Sequence, residues 1–275
     1  MLKQRVITAT FLLSLVSGLI LFAPPNIFIG FVGLVLGVGA WEWANLSGLT
    51  KGWQRVSYAI LLLATGLIGF WLFSGNDQSL VKPVNILMVS GVWWAIALLW
   101  VQGYPSSQVL WQATWTRAAI GFLVLLPTLL GVSLLRHMNG GTVLIFAVVL
   151  IVAAADTGAY FSGKAFGRRK LAPRVSPGKS WEGVIGGLLT VVLISVAFHL
   201  VHPSTEILTA LAIALPTAAV SVVGDLLESM FKRHRGVKDS SQLLPGHGGV
   251  LDRIDGLVAA VPVFTLCVLS TGWSW

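Results

Sequence analysis

Long apolar runs, each about the length needed to cross a bilayer, recur along nearly the whole chain. A hydrocarbon core about 30 Å thick requires roughly 20 residues of helix at 1.5 Å per residue. Turn-forming segments such as Pro24-Pro25-Asn26 separate the runs. The predicted spans are 6–22, 27–46, 56–73, 84–101, 118–135, 142–163, 181–200, 207–228 and 256–273. The pattern predicts an all-α fold, a polytopic integral membrane bundle of about nine transmembrane helices.

The composition supports a membrane protein and excludes several other classes. Of the 275 residues, 56% are hydrophobic and 10% are charged, whereas soluble domains carry about 25% charged residues. A single cysteine, Cys267, excludes a disulfide scaffold. We expect one membrane domain over 1–275, in which 1–140 carries few chemical motifs and 141–275 carries two basic cytoplasmic loops.

Lysine and arginine are concentrated in two segments, 164–179 and 232–253, which hold eleven of the 18 basic residues. Short cytoplasmic loops of membrane proteins retain such residues. With a cytoplasmic N-terminus and nine spans, both segments fall on the cytoplasmic side. The net charge of +8 is therefore interpreted as topology rather than nucleic-acid binding. We expect a bacterial-type inner (cytoplasmic) membrane, with any site built from these two segments facing the cytoplasm.

The few acidic residues lie at informative positions. Asp156 and Asp225 lie within spans near the cytoplasmic side, and Asp252 and Asp255 begin the last helix on one face. Four such carboxylates at the headgroup level suit Mg²⁺, with or without a second cation. In the alternative interpretation, each aspartate pairs with a nearby cation and fixes loop geometry. Glu42, inside the second span, has no partner that the sequence assigns.

Both basic segments carry features of phosphate binding. Lys164 and Lys179 are candidate phosphate partners in the first, which leads into the span beginning at 181. In the second, Pro245-Gly246-His247-Gly248-Gly249 predicts a tight backbone turn just before Asp252. This arrangement is typical of a nucleotide-phosphate cradle. Attraction to anionic lipid would also explain the cations, although it leaves the acids unexplained.

Residues 229–255 carry a long signature, S-x-x-K-R followed by K-D and then P-G-H-G-G-x-x-D-R-x-D. This string resembles the signature of the phosphatidate cytidylyltransferase (CDP-diacylglycerol synthase) family, and every fixed position is filled. The blocks Asp156-Thr-Gly-Ala-Tyr and Ser176-Pro-Gly-Lys-Ser-Trp-Glu-Gly are also similar to that family's. The resemblance covers the second half of the chain in motifs and the whole chain in size and hydropathy.

The resemblance implies a Mg²⁺-dependent membrane enzyme that makes CDP-diacylglycerol and pyrophosphate from CTP and phosphatidic acid in phospholipid biosynthesis. The expected partners are these substrates and membrane lipid, without nucleic acid; assembly as a homodimer stays open. The expected catalytic residues are Asp225, Asp252, Asp255, Lys232 and Arg233, and the expected metal ligands are Asp225, Asp252, Asp255 and Asp156. The expected substrate-binding residues are Ser176, Lys179, Lys164, Lys238, Asp239, His247, Gly248, Gly249 and Arg253.

Two other functions remain open at the level of sequence. A CTP-dependent polyprenol or phytol kinase would share a nucleotide site, but it needs a base to deprotonate an alcohol. A transporter would place polar groups at several depths of the bilayer. Here the outer half of the spans lacks such groups, apart from Glu42, whose depth the sequence does not define.

Overall fold

A computed structural model describes residues 2–74, 82–202 and 206–273 of the chain. Nine long helices run through these residues, together with one short helix and a two-stranded antiparallel sheet. The helices are α1 (Leu2–Phe22), α2 (Pro25–Ser47), α3 (Gly52–Ser74), α4 (Pro83–Gln102), α5 (Gln108–Trp111), α6 (Thr114–His137), α7 (Gly141–Phe166), α8 (Trp181–Val201), α9 (Ile207–His234) and α10 (Leu251–Thr271). The strands are β1 (Lys170–Ala172) and β2 (Ser176–Ser180).

The polytopic helical membrane fold predicted from hydropathy is confirmed. Eight of the helices, α2–α4 and α6–α10, are long and apolar enough to cross a membrane, judged on the described residues. The first helix adds a shorter apolar stretch, Thr10–Phe22. A total of nine spans and a cytoplasmic N-terminus therefore stay predictions.

Within this helical fold, β1 and β2 form a small hairpin in the first basic segment, which the sequence pattern did not predict. Lys170 pairs with Ser180, and Ala172 pairs with Ser176. Strands of three and five residues are too short for an alternating pattern to stand out in the sequence. The hairpin matters for function because β2 leads directly into α8 and carries Lys179.

The charged helix ends extend beyond the predicted apolar spans. Helix α9 continues to His234, beyond the apolar span that ends near 228. Helix α10 begins at Leu251, ahead of the apolar span that starts near 256, which confirms that Asp252 and Asp255 begin the last helix. Both extensions hold polar residues that hydropathy assigns to loops. Asp252 and Lys232 therefore lie on regular helical turns, where the backbone fixes the direction of each side chain.

At one end of the bundle, called the polar end below, the ends of helices from both halves of the chain lie in contact. The last turn of α9 contacts the first turn of α10 through Lys232 and Asp252. The end of α2 joins them, because Arg235 donates a hydrogen bond to the carbonyl oxygen of Asn45. Beneath these contacts the rings of Trp43 and Phe231 pack edge to face, with centroids 5.1 Å apart. A buried aromatic layer thus supports the polar end.

Helices α7 and α8 approach closely enough for main-chain contact, and glycine makes this possible. A Cβ atom added at Gly187 would lie 2.6 Å from the carbonyl oxygen of Ala155. A main-chain oxygen yields only if its whole helix moves, so the close packing of α7 on α8 depends on the absence of a side chain at 187. This packing places β2 and the start of α8 beside the polar end.

We expect Gly187→Ala to lower the free energy of unfolding by about 1–3 kcal/mol, because overpacking of a tight contact forces the backbone apart. The matched control is Gly30→Ala, where an added Cβ meets no atom within 4 Å. Thermal unfolding in detergent measures both variants. An unchanged Tm for Gly187→Ala would contradict the close approach of α7 and α8.

Candidate active site

The ammonium group of Lys232 is the centre of the polar end. The residue is 8% exposed, although it belongs to the last turn of α9. Its Nζ atom lies 2.6 Å from Oδ1 of Asp252 and 3.4 Å from Oε1 of Glu228. One buried positive charge is thus shared between a carboxylate one turn earlier on α9 and a carboxylate on α10.

Asp252 also holds the glycine-rich turn in place. Its second oxygen, Oδ2, accepts hydrogen bonds from the backbone N–H groups of Ser240 (2.9 Å) and Gly249 (2.8 Å). The hydroxyl of Ser240 lies 3.0 Å from the same oxygen. Both oxygens of Asp252 are therefore engaged, one by Lys232 and the other by the loop.

The predicted tight turn at 245–249 is confirmed. Leu244 and Gly248 form an isolated antiparallel bridge, and the N–H of His247 donates to the carbonyl oxygen of Leu244. Gly246 and Gly248 have φ angles of +76° and +82°, which L-residues with a side chain rarely adopt. At Gly249 an added Cβ would clash with the hydroxyl of Ser240. Glycine is thus required by the backbone and by the space available.

Asp225 forms a second ion pair, this time with the hairpin. Lys179 on β2 places its Nζ 2.7 Å from Oδ2 of Asp225. The hydroxyl of Ser229, one turn later on α9, donates to Oδ1 at 3.2 Å. Asp156 on α7 is exposed and close enough for its charge to interact with both Asp225 and Lys179. The ion pair between Lys179 and Asp225 therefore connects the hairpin to α9.

Asp255 lies between the two ion pairs. Its carboxylate interacts electrostatically with those of Asp225 and Glu228, and its Oδ1 accepts the backbone N–H of Gly256 at 2.8 Å. Glu228 is 2% exposed, and its carboxyl group lies against the Asp255 carboxyl group as well as the Lys232 ammonium. Its ion pair with Lys232 is long. This corner of the site therefore holds more acidic than basic side chains.

The structure differs from the expected convergence of four carboxylates. Among the described residues, no group of three or more His, Cys, Asp or Glu side chains is arranged to hold a metal ion. Asp252 is engaged by Lys232 and the loop, while exposed Asp156 lies beside Lys179. Asp225 and Asp255 lie on facing turns of α9 and α10 and could hold a hard cation if Lys179 moved away from Asp225, since Mg²⁺ commonly takes one or two protein carboxylates with water and phosphate oxygens.

The other predicted site residues lie on the hairpin, on the loop before α10 or at the ends of α9 and α10. Arg233 donates to the carbonyl oxygen of Val175 in the hairpin, and Arg253 donates to that of His247. Asp239 lies against Gly248. Ser176 is half-buried on β2, and Lys238 is exposed beside Asp239.

Lys164 belongs to the predicted binding residues, and its role stays a prediction. It is exposed on the last turn of α7, and its Nζ lies 5.9 Å from the centroid of the Tyr160 ring.

Sequence reasoning missed Glu42, Glu228 and the serines at 240 and 241. Glu42 carried a signal, because a carboxylate inside an apolar span normally has a partner. Its partners lie about 200 positions away, with the Ser240 hydroxyl 3.1 Å from Oε2. Glu228 carried a signal too, since it precedes Lys232 by one helical turn.

Comparison with known proteins finds relatives over nearly the whole chain. The cytidylyltransferase family model matches residues 3–271. The phosphatidate cytidylyltransferase of Pseudomonas aeruginosa is 48% identical over 279 residues, covering 99% of this chain and 99% of that protein. The phosphatidate cytidylyltransferase of Haemophilus influenzae is 44% identical, covering 96% and 98%. That of Thermotoga maritima is 36% identical, covering 95% and 94%. The chain therefore belongs to the cytidylyltransferase family.

Proposed function

We propose that this protein is a phosphatidate cytidylyltransferase, which transfers CMP from CTP to phosphatidic acid and releases pyrophosphate. One observation carries the proposal. Lys232 from the first part of the 229–255 signature lies 2.6 Å from Asp252 in its last part, so the fold brings the two parts together. The names of relatives that match nearly the whole chain support the same activity. A site at the ends of membrane helices suits a reaction between a water-soluble nucleotide and a lipid.

The chemistry requires positioning and charge neutralisation more than proton transfer. An oxygen of the phosphatidic acid phosphate attacks the α-phosphorus of CTP, and the bond from this phosphorus to the β-phosphate bridging oxygen breaks. Its electron pair leaves with pyrophosphate. Because the attacking oxygen is already anionic, no strong general base is needed. Basic side chains at this end, Lys179, Arg233, Lys238 and Arg253, are suited to bind phosphates of either substrate.

Divalent magnesium is part of the proposal. Asp225 and Asp255 would hold the ion, and both are half-buried on facing turns of α9 and α10. When bound, Mg²⁺ would offset the charge that develops on the phosphates. Lys179 would then be released from Asp225 toward the substrates. Asp252 would keep the glycine-rich turn and Lys232 in place.

The proposed location is a bacterial inner membrane, with this end of the bundle facing the cytoplasm. Supporting this orientation, residues 164–179 and 232–253 hold eleven of the 18 basic residues, and basic residues favour the cytoplasmic side. The helices that border these segments, α7 to α10, all present their charged ends to the site. CTP would reach it directly from the cytoplasm.

We expect the purified protein in detergent to release pyrophosphate when it is given CTP, phosphatidic acid and Mg²⁺. With CTP labelled in the α-phosphate, the label should appear in a CDP-lipid. A phosphorylated polyprenol formed from the γ-phosphate would favour a kinase instead. Removing Mg²⁺ with a chelator should abolish the reaction, and full activity without a divalent ion would contradict the metal assignment.

We expect Asp255→Asn to lower kcat by at least about 100-fold, because it removes a carboxylate from the proposed cation site. The matched control is Glu206→Gln, which neutralises an exposed carboxylate at the start of α9, near the opposite end of the bundle. Pyrophosphate release and thermal unfolding are measured on both. Turnover by Asp255→Asn at the control's rate would overturn its catalytic role.

We expect Lys232→Met to lower the free energy of unfolding by about 3–5 kcal/mol, because it leaves two buried carboxylates without a compensating charge. Lys164→Met serves as the comparison, since that lysine is exposed on the last turn of α7, with its Nζ 5.9 Å from the centroid of the Tyr160 ring. Thermal or denaturant unfolding in detergent separates the two variants. Similar stability losses would show that Lys232 does not organise the buried charges.

A further inference from the structure

We infer that Glu42 on α2 is a positioning residue for the cytidylyl transfer, holding the glycine-rich turn and the start of α10 from the N-terminal half of the chain. The inference rests on the proposed function for its catalytic meaning. Glu42 is 0% exposed, in a helix whose other residues near it are apolar or small. A buried carboxylate in such a helix needs donors to compensate for its lost hydration.

Four hydrogen bonds from one short segment provide that compensation. The hydroxyl of Ser241 donates to Oε1 at 2.6 Å, and the hydroxyl of Ser240 donates to Oε2 at 3.1 Å. The backbone N–H of Val250 donates to Oε1 at 3.0 Å, and that of Leu251 donates to Oε2 at 2.6 Å. Each carboxylate oxygen thus accepts one hydroxyl and one backbone N–H.

The two backbone donors belong to the beginning of α10. The first N–H groups of a helix have no partner within the helix. Val250, at the N-cap position, has no side chain that could accept from them. Glu42 supplies the missing acceptor from another helix, and its negative charge is favourable at a helix N-terminus. The position of α10's first turn therefore depends on a residue of α2.

Asp252 lies in that first turn and is coupled to Glu42 through a shared hydroxyl. Ser240 Oγ is 3.1 Å from Oε2 of Glu42 and 3.0 Å from Oδ2 of Asp252. A Cβ atom added at Gly249 would lie 2.6 Å from Oε1 of Glu42, so the turn is packed directly against this carboxylate. Loss of the Glu42 contacts would let the turn, Asp252 and Lys232 shift together.

The decisive variant is Glu42→Gln, which keeps the shape of the side chain but replaces one acceptor oxygen by an NH₂ group that faces donors. We expect kcat to fall by at least about tenfold with the KM for CTP changed less than about threefold, since misplaced groups mainly cost transition-state stabilisation. Backbone hydrogen exchange should become faster over 240–251 and stay unchanged in α7 and α8. Glu42→Asp should recover part of the lost kcat.

Arg136→Gln is the matched control. Arg136 is also a buried charged residue that holds a helix end, donating to the carbonyl oxygens of Ile20 and Ala23 at the opposite end of the bundle. It should lower the Tm with kcat per folded molecule unchanged. If Glu42→Gln behaves in the same way, with kcat and exchange over 240–251 at wild-type values, Glu42 is structural only and the inference is overturned.

Two further measurements keep the test decisive. If Glu42→Gln does not yield folded protein, Ser241→Ala is used instead, because it removes one of the four donors. A lower kcat at unchanged Tm supports the inference, and an unchanged kcat overturns it.

Wild-type turnover of CTP and phosphatidic acid tests the proposed function separately. If the wild type is inactive, faster exchange confined to 240–251 in Glu42→Gln still supports positioning by Glu42, and unchanged exchange overturns it.

Discussion

The polar end of this bundle depends on the ion pairs that the buried ammonium of Lys232 forms. An ionised carboxylate away from water is costly unless a partner compensates for the lost hydration. Lys232 compensates for Glu228 on its own helix and Asp252 on α10, and thereby draws the two helix ends together. Without this shared charge, the acids on α9 and α10 would repel one another. The helix ends could not then stay close enough to form a site.

The two oxygens of Asp252 connect this charge to the loop that precedes α10. One oxygen accepts from Lys232, and the other accepts from the backbone of Ser240 and Gly249. The same residue therefore compensates for a buried cation and fixes the glycine-rich turn. This arrangement is the reason that the proposed Mg²⁺ site uses Asp225 and Asp255 rather than Asp252.

Hydropathy and motif spacing could predict the helical membrane fold and most of the residues at the site, because both depend on short stretches of sequence. The tight turn at 245–249 follows from its glycines in the same way. The hairpin at 170–180 could not be predicted, since its short strands have no clear alternation. The engagement of Asp252 by Lys232 could not be predicted either, because spacing along the chain does not show which charges pair across helices.

The N-terminal half carries few chemical motifs in its sequence, yet Glu42 from this half contacts the site in the structure. A helix can serve a distant site with a single polar side chain, provided that its neighbours bury it. The hydroxyls of Ser240 and Ser241 reach this carboxylate only because α2, α9 and α10 end at the same level of the bundle. An isolated acid in an apolar span therefore indicates a long-range contact, and its partner is found among the loop residues at the depth where it lies.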